Sequence, residues 1–268
     1  MKKFALLVLA CAFILSAVCL AAPSGSITLA GSTSVQPLAE ELAKAYTAKY
    51  PDAKIAVQGG GSGAGIKAAF DGTADIGMCS RELNPDEKSL VATEIAKDGV
   101  VMIVNKANPI TNLTLEQLQN IYTGTSTTWK QVNSPKFLKT KIVVVNREAG
   151  SGTRGAFEEL VLGKLKNTSD CLVQSSTGAV QQTVAVTKEA IGYISLGSLD
   201  PSAVKALSLN GVVCTIPNIV AKKYLIQRPF LLLTKAAPTG LSKEFMDWIL
   251  GPEGQKIVAK DFISINAK

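Results

Sequence analysis

The chain contains no histidine. That removes Ser-His-Asp and Cys-His nucleophile systems, HExxH zinc sites and any imidazole general base. Aromatic residues are few, at 6%, and charged residues reach only 18% against 47% apolar. Such a balance argues for a packed protein and against disorder. The basic excess is modest and the lysines are scattered, so nucleic-acid binding has little support. There is no low-complexity tract and no repeat of fixed period. At 268 residues the chain has room for one or two domains with a sizeable core,.

Long uncharged apolar sequence occurs once, at the amino terminus. Lys2 and Lys3 precede Phe4–Leu20, and Cys19-Leu20-Ala21 has the small-x-small spacing of a leader-peptide cleavage site,. Residues 1–21 are expected to be an export signal, with Ala22 the first residue afterwards. A membrane anchor or lipid attachment at Cys19 are the weaker alternatives, since Val18 stands where lipoprotein processing expects a small residue,. Loss of Lys2 and Lys3 lowers the net charge from +7 to +5. Mild attraction for anions follows. Cys79, Cys171 and Cys214 remain. An odd count outside the cytoplasm permits a Cys171–Cys214 disulfide with one spare thiol, or three buried thiols; spacing does not choose.

Strand and helix patterns alternate. Strands are expected at Ile27–Ala30, Lys54–Gln58, Ala74–Met78, Val100–Asn105, Lys141–Val145, Ile191–Ile194 and Phe230–Leu233,. Helices are expected at Pro37–Tyr50, Gly65–Phe70, Asp86–Ala96, Leu115–Tyr122, Thr153–Leu162 and Ala179–Val186. Phe157, Leu160 and Val161 are taken to face inward, and two helices close the chain around Gly251-Pro252. Asn105–Thr114, rich in Asn, Pro and Thr, reads as a loop or an interdomain crossing,. The alternation implies an α/β fold, and the apolar run at Val100–Val104 suits a strand buried on both faces.

Three glycine-serine loops each follow a strand and precede a helix. They are Gly31-Ser32-Thr33-Ser34, Gly59-Gly60-Gly61-Ser62-Gly63-Ala64-Gly65 and Gly150-Ser151-Gly152-Thr153-Arg154. A helix amino terminus carries unpaired N–H groups and partial positive charge, glycine lets backbone approach closely, and hydroxyls add donors. Singly, each loop is equally a turn or a cap. Together, at the carboxyl ends of strands where open α/β sheets bind ligands, they point to an oxyanion. Gly60–Lys67 misses the P-loop because Ile66 stands at the lysine position, and Gly59-x-Gly61-x-x-Ala64 opens too short a helix for a dinucleotide fingerprint,. Arg147, just before the third loop, could pair bidentately with the same anion or form an interdomain ion pair. Ser80 and Arg81 end the third strand at the edge of the first two loops. Asp75 reads as a local structural residue, and Tyr122, Trp129 and Trp248 as packing residues.

Taken in order, five blocks resemble the PstS-type phosphate-binding proteins, extracytoplasmic receptors of ATP-driven phosphate importers. They are Gly31-Ser32-Thr33-Ser34-Val35-x-Pro37, Gly61-Ser62-Gly63, Ala74-Asp75-Ile76-Gly77-x-x-Ser80-Arg81, Arg147-Glu148-Ala149-Gly150-Ser151-Gly152-Thr153-Arg154 and Ala190-Ile191-Gly192-Tyr193. The resemblance implies a two-lobe periplasmic-binding-protein fold of the hinged-trap type, each lobe a mixed β-sheet flanked by helices. It implies one lobe of residues 22–104 plus 229–268 and another of 105–228. It implies a monomer that binds inorganic phosphate and delivers it to the membrane permease of an ABC importer, without catalysis, cofactor or metal. By the same resemblance Thr33, Ser34, Ser62, Ser80, Arg147, Ser151, Gly152 and Thr153 contact phosphate. One position departs from the pattern. Well-known family members carry an aspartate where Ser80 stands, and that carboxylate accepts the phosphate proton and helps reject sulfate, although other members with Ser-Arg here also resemble phosphate receptors. Ser80 leaves that discrimination open, with Glu148 or a main-chain carbonyl as other acceptors. Another tetrahedral oxyanion (sulfate, molybdate or tungstate) or an envelope phosphoryl-transfer enzyme is the alternative.

Overall fold

The computed structural model describes residues 22–132 and 140–267. The expected leader, residues 1–21 with Cys19, lies outside the described residues. The first half of the chain runs β1 (Gly25–Gly31), α1 (Gln36–Lys49), β2 (Ala53–Gly59), α2 (Ser62–Asp71), β3 (Ile76–Cys79), β4 (Val91–Asn105), β5 (Asn112–Leu113) and α3 (Leu115–Tyr122). The second half runs β6 (Val143–Arg147), α4 (Gly152–Phe157), β7 (Leu172–Gln174), α5 (Thr177–Val186), β8 (Ala190–Ser195), β9 (Val204–Ala206), β10 (Ser208–Leu209), α6 (Ile216–Val220), β11 (Gln227–Thr234), α7 (Gly240–Leu250), α8 (Pro252–Asp261) and β12 (Ile263–Ser264).

The strands join in the order β2-β1-β3-β11-β4-β8-β6-β7, with β9 and β12 also on β4. β1 is parallel to β2 and β3, and β6 is parallel to β7 and β8. β11 enters antiparallel between β3 and β4. The long β4 pairs with β11 over Val91–Gly99 and with β8 over Val100–Val104.

Two apolar cores organise these strands into two lobes. The first gathers Leu29, Leu42, Tyr46, Ile76, Phe230 and Phe245. The second gathers Val101, Tyr122, Trp129, Phe157, Tyr193 and Tyr224. Tyr46 meets Phe245 edge to face at 5.1 Å, and Phe157 stacks on Tyr193 at 4.3 Å. Such aromatic pairs add to area burial. Along the chain the cores divide on β4 between Ala96 and Val100, and again between Ile226 and Phe230. Asp98 and Arg228 are register partners at that division.

Two expectations are corrected, and one open alternative is decided. Asp86–Ala96 is no helix: a single 3-10 turn at Pro85–Glu87 is followed by the first half of β4. β-Branched Val91, Thr93 and Ile95 suit a strand, and β11 supplies hydrogen-bonding partners that no local pattern reveals,. Leu160 is 42% exposed because the helix loosens to π winding over Glu158–Leu162, which turns the inward face away from it,. Cys171 and Cys214 are not bridged; both are free thiols, as is Cys79. Cys171 leads into edge strand β7, while Cys214 packs against Gly99 of β4, with β8 and β6 between those strands. The other expected helices and strands form, shifted by up to three residues at their ends apart from β4, which starts at Val91 and not at Val100.

Candidate functional site

All eight residues expected to contact ligand lie where the two lobes meet. Thr33 and Ser34 follow β1, Ser62 opens α2, and Ser80 ends at β3. Arg147 ends β6, Ser151 caps α4, and Gly152 and Thr153 open it. Every one except Thr33 is buried. The parallel order of β2, β1 and β3 puts the loops that follow these strands at one edge of the first lobe. The parallel pair β6–β8 does the same for the second.

Hydroxyls from opposite lobes come into direct contact. Ser34 Oγ lies 2.9 Å from Thr153 Oγ1 and 2.8 Å from Thr177 Oγ1. Ser62 Oγ accepts from the Ser80 N–H at 3.1 Å and lies 3.3 Å from Ser80 Oγ. Gly152 packs so tightly that a Cβ there would fall 2.2 Å from Ser62 Oγ. The Gly63 N–H donates to the Gly150 carbonyl at 2.8 Å, closing the second loop onto the third. Ser151 Oγ accepts from the Arg154 N–H at 3.2 Å, so this hydroxyl serves as the helix cap,.

Arg147 is buried and fully engaged. Its Nε and Nη2 donate to the two carboxylate oxygens of Glu148, each at 2.8 Å. Nη1 donates to Thr177 Oγ1 and Nη2 to Thr33 Oγ1, each at 3.3 Å. The guanidinium is thereby spread across the boundary between lobes. Its backbone N–H donates to Asn146 Oδ1 at 2.8 Å, and Tyr193 also donates its hydroxyl to that oxygen. Burial pushes the Tyr193 hydroxyl well up from its ordinary value, so it stays a donor.

Four further residues belong to the site. Thr177 opens α5 and touches Thr33, Ser34 and Arg147. Its signal was present as a fourth loop, Ser175-Ser176-Thr177-Gly178, which repeats the pattern of the other three. Ser32 donates to Ser80 Oγ at 2.8 Å. Arg228 donates through Nη1 to the Ser80 carbonyl at 3.2 Å and to Ser80 Oγ at 3.3 Å. Its Nε and Nη2 donate to Asp98 Oδ2 at 3.1 and 2.9 Å. Nothing local marked Arg228 or Asp98, because antiparallel pairing of β11 with β4 alone brings them together. Burial pushes the Asp98 carboxyl up and the Arg228 guanidinium down, each against the pull of its partner. Asp98 also accepts from Ser195 Oγ at 2.9 Å and from the Leu196 N–H at 3.2 Å. These bonds satisfy the charge that burial would otherwise make costly.

The remaining candidates play the structural parts expected of them. Asp75 accepts from the Thr28 N–H at 2.7 Å, and Tyr122 and Trp129 are buried in the second core. Arg81 pairs bidentately with Glu87 at 2.7 and 2.8 Å beside the groove at the mouth of the site.

The assembled chemistry is rich in donors: hydroxyls, backbone N–H groups at helix starts, and guanidinium. The buried acid Asp98 is held by Arg228, and Glu148 by Arg147. Among the described residues no cluster of His, Cys, Asp and Glu could hold a metal ion. A dehydrated anion would find its charge met on several sides at once.

A model of the PBP superfamily domain matches residues 20–253. The chain is 33% identical to the phosphate-binding protein PstS of Bacillus subtilis, over 89% of this chain and 79% of that one. It is 31% identical to the phosphate-binding protein PstS of Borreliella burgdorferi, over 87% of each chain. Among solved structures it is similar to a candidate phosphate ABC transporter substrate-binding protein of Clostridium perfringens with bound phosphate. That similarity has 42% identity and a TM-score of 0.86, covering 90% of this chain and 100% of the other.

Proposed function

The chain belongs to the PBP superfamily and, within it, to the PstS-type phosphate-binding proteins; on that premise we propose that it binds inorganic phosphate between its lobes and delivers it to the membrane permease of an ABC importer. One observation supports this above the others. Four loops from two lobes, each opening a helix, aim Ser34, Ser62, Thr153 and Thr177 at one buried spot beside Arg147. Hydroxyls and backbone N–H groups replace the water around a phosphate, and Arg147 supplies formal charge.

The lobes are residues 22–104 with 229–268, and residues 105–228, with Val100–Val104 of β4 lending side chains to the second core. β4 and β11 cross between them, and bending there opens and closes the cleft. Ligand favours the closed form only to the extent that it binds that form better. The receptor works as a monomer outside the cytoplasm, exported by the leader at residues 1–21.

Calorimetry on the purified protein, stripped of ligand by unfolding and refolding, tests this reading. Phosphate is expected to bind tightly, and Arg147→Gln to weaken it at least a hundredfold, the loss of a buried charged hydrogen-bonding partner. Refolded protein with no heat of binding for phosphate, sulfate or molybdate would overturn it. Sulfate is the competitor to watch, because Ser80 offers a hydroxyl where a carboxylate would repel an anion without a proton.

A further inference from the structure

Resting on the oxyanion-binding reading above, we infer that Arg228 is a specificity-determining positioning residue: with Ser32 it fills both lone pairs of the Ser80 hydroxyl, which leaves Ser80 unable to accept a hydrogen bond from the cleft.

The assignment follows from counting lone pairs. A serine hydroxyl donates one hydrogen bond and accepts two. Ser32 Oγ accepts from the N–H groups of Ser34 at 3.3 Å and Val35 at 3.4 Å. Both acceptor positions are therefore taken, and its proton goes to Ser80 Oγ at 2.8 Å. Ser80 Oγ accepts that proton and a second from Arg228 Nη1 at 3.3 Å. An arginine donates and never accepts, so this contact has one polarity. With both lone pairs used, Ser80 has only its own proton to offer. One recipient is Ser62 Oγ at 3.3 Å, which already accepts from the Ser80 N–H. Ser62 then donates outward in turn. Alternatively, Ser80 donates to the anion directly. Either way Ser80 itself offers no acceptor to the cleft,.

Arg228 is held to this task from behind. Its Nε and Nη2 are committed to Asp98, and Asp98 is tied to Ser195 and Leu196 of the other lobe. Arg228 is 3% exposed, which keeps competing water away. Only a planar fork meets Asp98 and Ser80 simultaneously; a lysine ammonium keeps the charge and loses the span. A donor at this position grips any tetrahedral dianion alike. Ser80 accepts no hydrogen bond from the proton of hydrogen phosphate, so it does not tell phosphate from sulfate.

Titration of phosphate and sulfate into the refolded wild-type protein and its Ser80→Ala, Ser32→Ala and Arg228→Lys variants tests this inference. Ser80→Ala is expected to weaken both anions by the same factor, roughly tenfold or more, leaving their affinity ratio within about twofold. Arg228→Lys and Ser32→Ala each free a lone pair on Ser80, so its hydroxyl can turn and accept. Each is expected to raise the phosphate-to-sulfate ratio severalfold, a change that general loosening of the fold would not produce. Should Arg228→Lys fail to fold, Ser32→Ala and Ser80→Ala still decide. A Ser80→Ala variant that loses phosphate at least tenfold more than sulfate would overturn the inference, because Ser80 would then be accepting the phosphate proton. Unchanged ratios in both Arg228→Lys and Ser32→Ala would overturn it as well. Wild-type protein that binds neither anion would overturn the oxyanion reading beneath it, an outcome separate from either of these.

Discussion

Ser34 in the first lobe and Thr177 in the second stand with their hydroxyl oxygens 2.8 Å apart, although 143 positions separate them in the chain. The contact spans the boundary between lobes at the place where Arg147 also reaches Thr177 and Thr33. In the proposed function, closure and recognition draw on the same atoms.

Thr177 is one of the candidate-site residues that the sequence did not single out, and it makes a direct test. Thr177→Val keeps the volume and removes the hydroxyl. Phosphate affinity measured by calorimetry should fall roughly tenfold, about 1.5 kcal/mol, the contribution of one hydrogen bond to a charged group. An affinity equal to wild type would remove Thr177 from the site.

Gly152 offers a test of closure separate from folding. A Cβ at this position would lie 2.2 Å from Ser62 Oγ and 2.6 Å from Ser80 Oγ, both across the cleft. Gly152→Ala should leave the melting temperature without phosphate within a few degrees of wild type. The stabilisation that phosphate adds, and the compaction it causes in small-angle scattering, should disappear. Normal compaction with ligand would mean that the lobes tolerate a methyl group there.

Thiol chemistry offers a test of the fold that is independent of ligand. Cys79 and Cys214 are buried, and burial pushes the Cys214 thiol up to about 12. Cys171 is half-buried. Native protein should therefore react with a thiol reagent at Cys171 well before Cys79 or Cys214, which should label only on unfolding. A Cys171–Cys214 disulfide in the exported protein would contradict the separation of these residues across the sheet.

The Arg81–Glu87 pair gives a pH dependence of defined sign. Its hydrogen bonds to Arg81 hold the Glu87 carboxyl below the usual carboxylate range. A carboxyl lowered by folding stabilises the fold above its unfolded value and loses that contribution as pH falls through its folded value. Wild type should exceed Glu87→Gln by about 1 kcal/mol near neutral pH, the scale of a well-formed pair near the surface. The difference should fade as pH drops below about 4.3. A difference that persisted or grew in acid would mean that Glu87 acts by packing and not by charge.

Much of the site was legible in the chain because its chemistry is local. Glycine and serine at a strand-to-helix turn mean the same thing wherever the lobes lie. Thr33, Ser34, Ser62, Arg147 and Thr153 were each marked by such a neighbourhood. The helix at α1 was legible for a similar reason, since Leu38, Leu42 and Tyr46 recur at helical spacing and are buried together. Local pattern misled at Asp86–Ala96, where helical-looking spacing gave way to strand once β11 offered its backbone. It misled again at Leu160, where π winding shifted the buried face by part of a turn.

The sequence by itself determined the alternation of strands and helices and the donor-rich loops, because periodicity and turn chemistry act over a few residues. Only the tertiary structure decided how those loops are used. It set Thr177 against Ser34, and antiparallel pairing of β11 with β4 carried Arg228 to Asp98 and Ser80. Those contacts join residues far apart in the chain. Their polarity follows from which lone pairs the fold has already filled, and that is a property of the packed molecule alone.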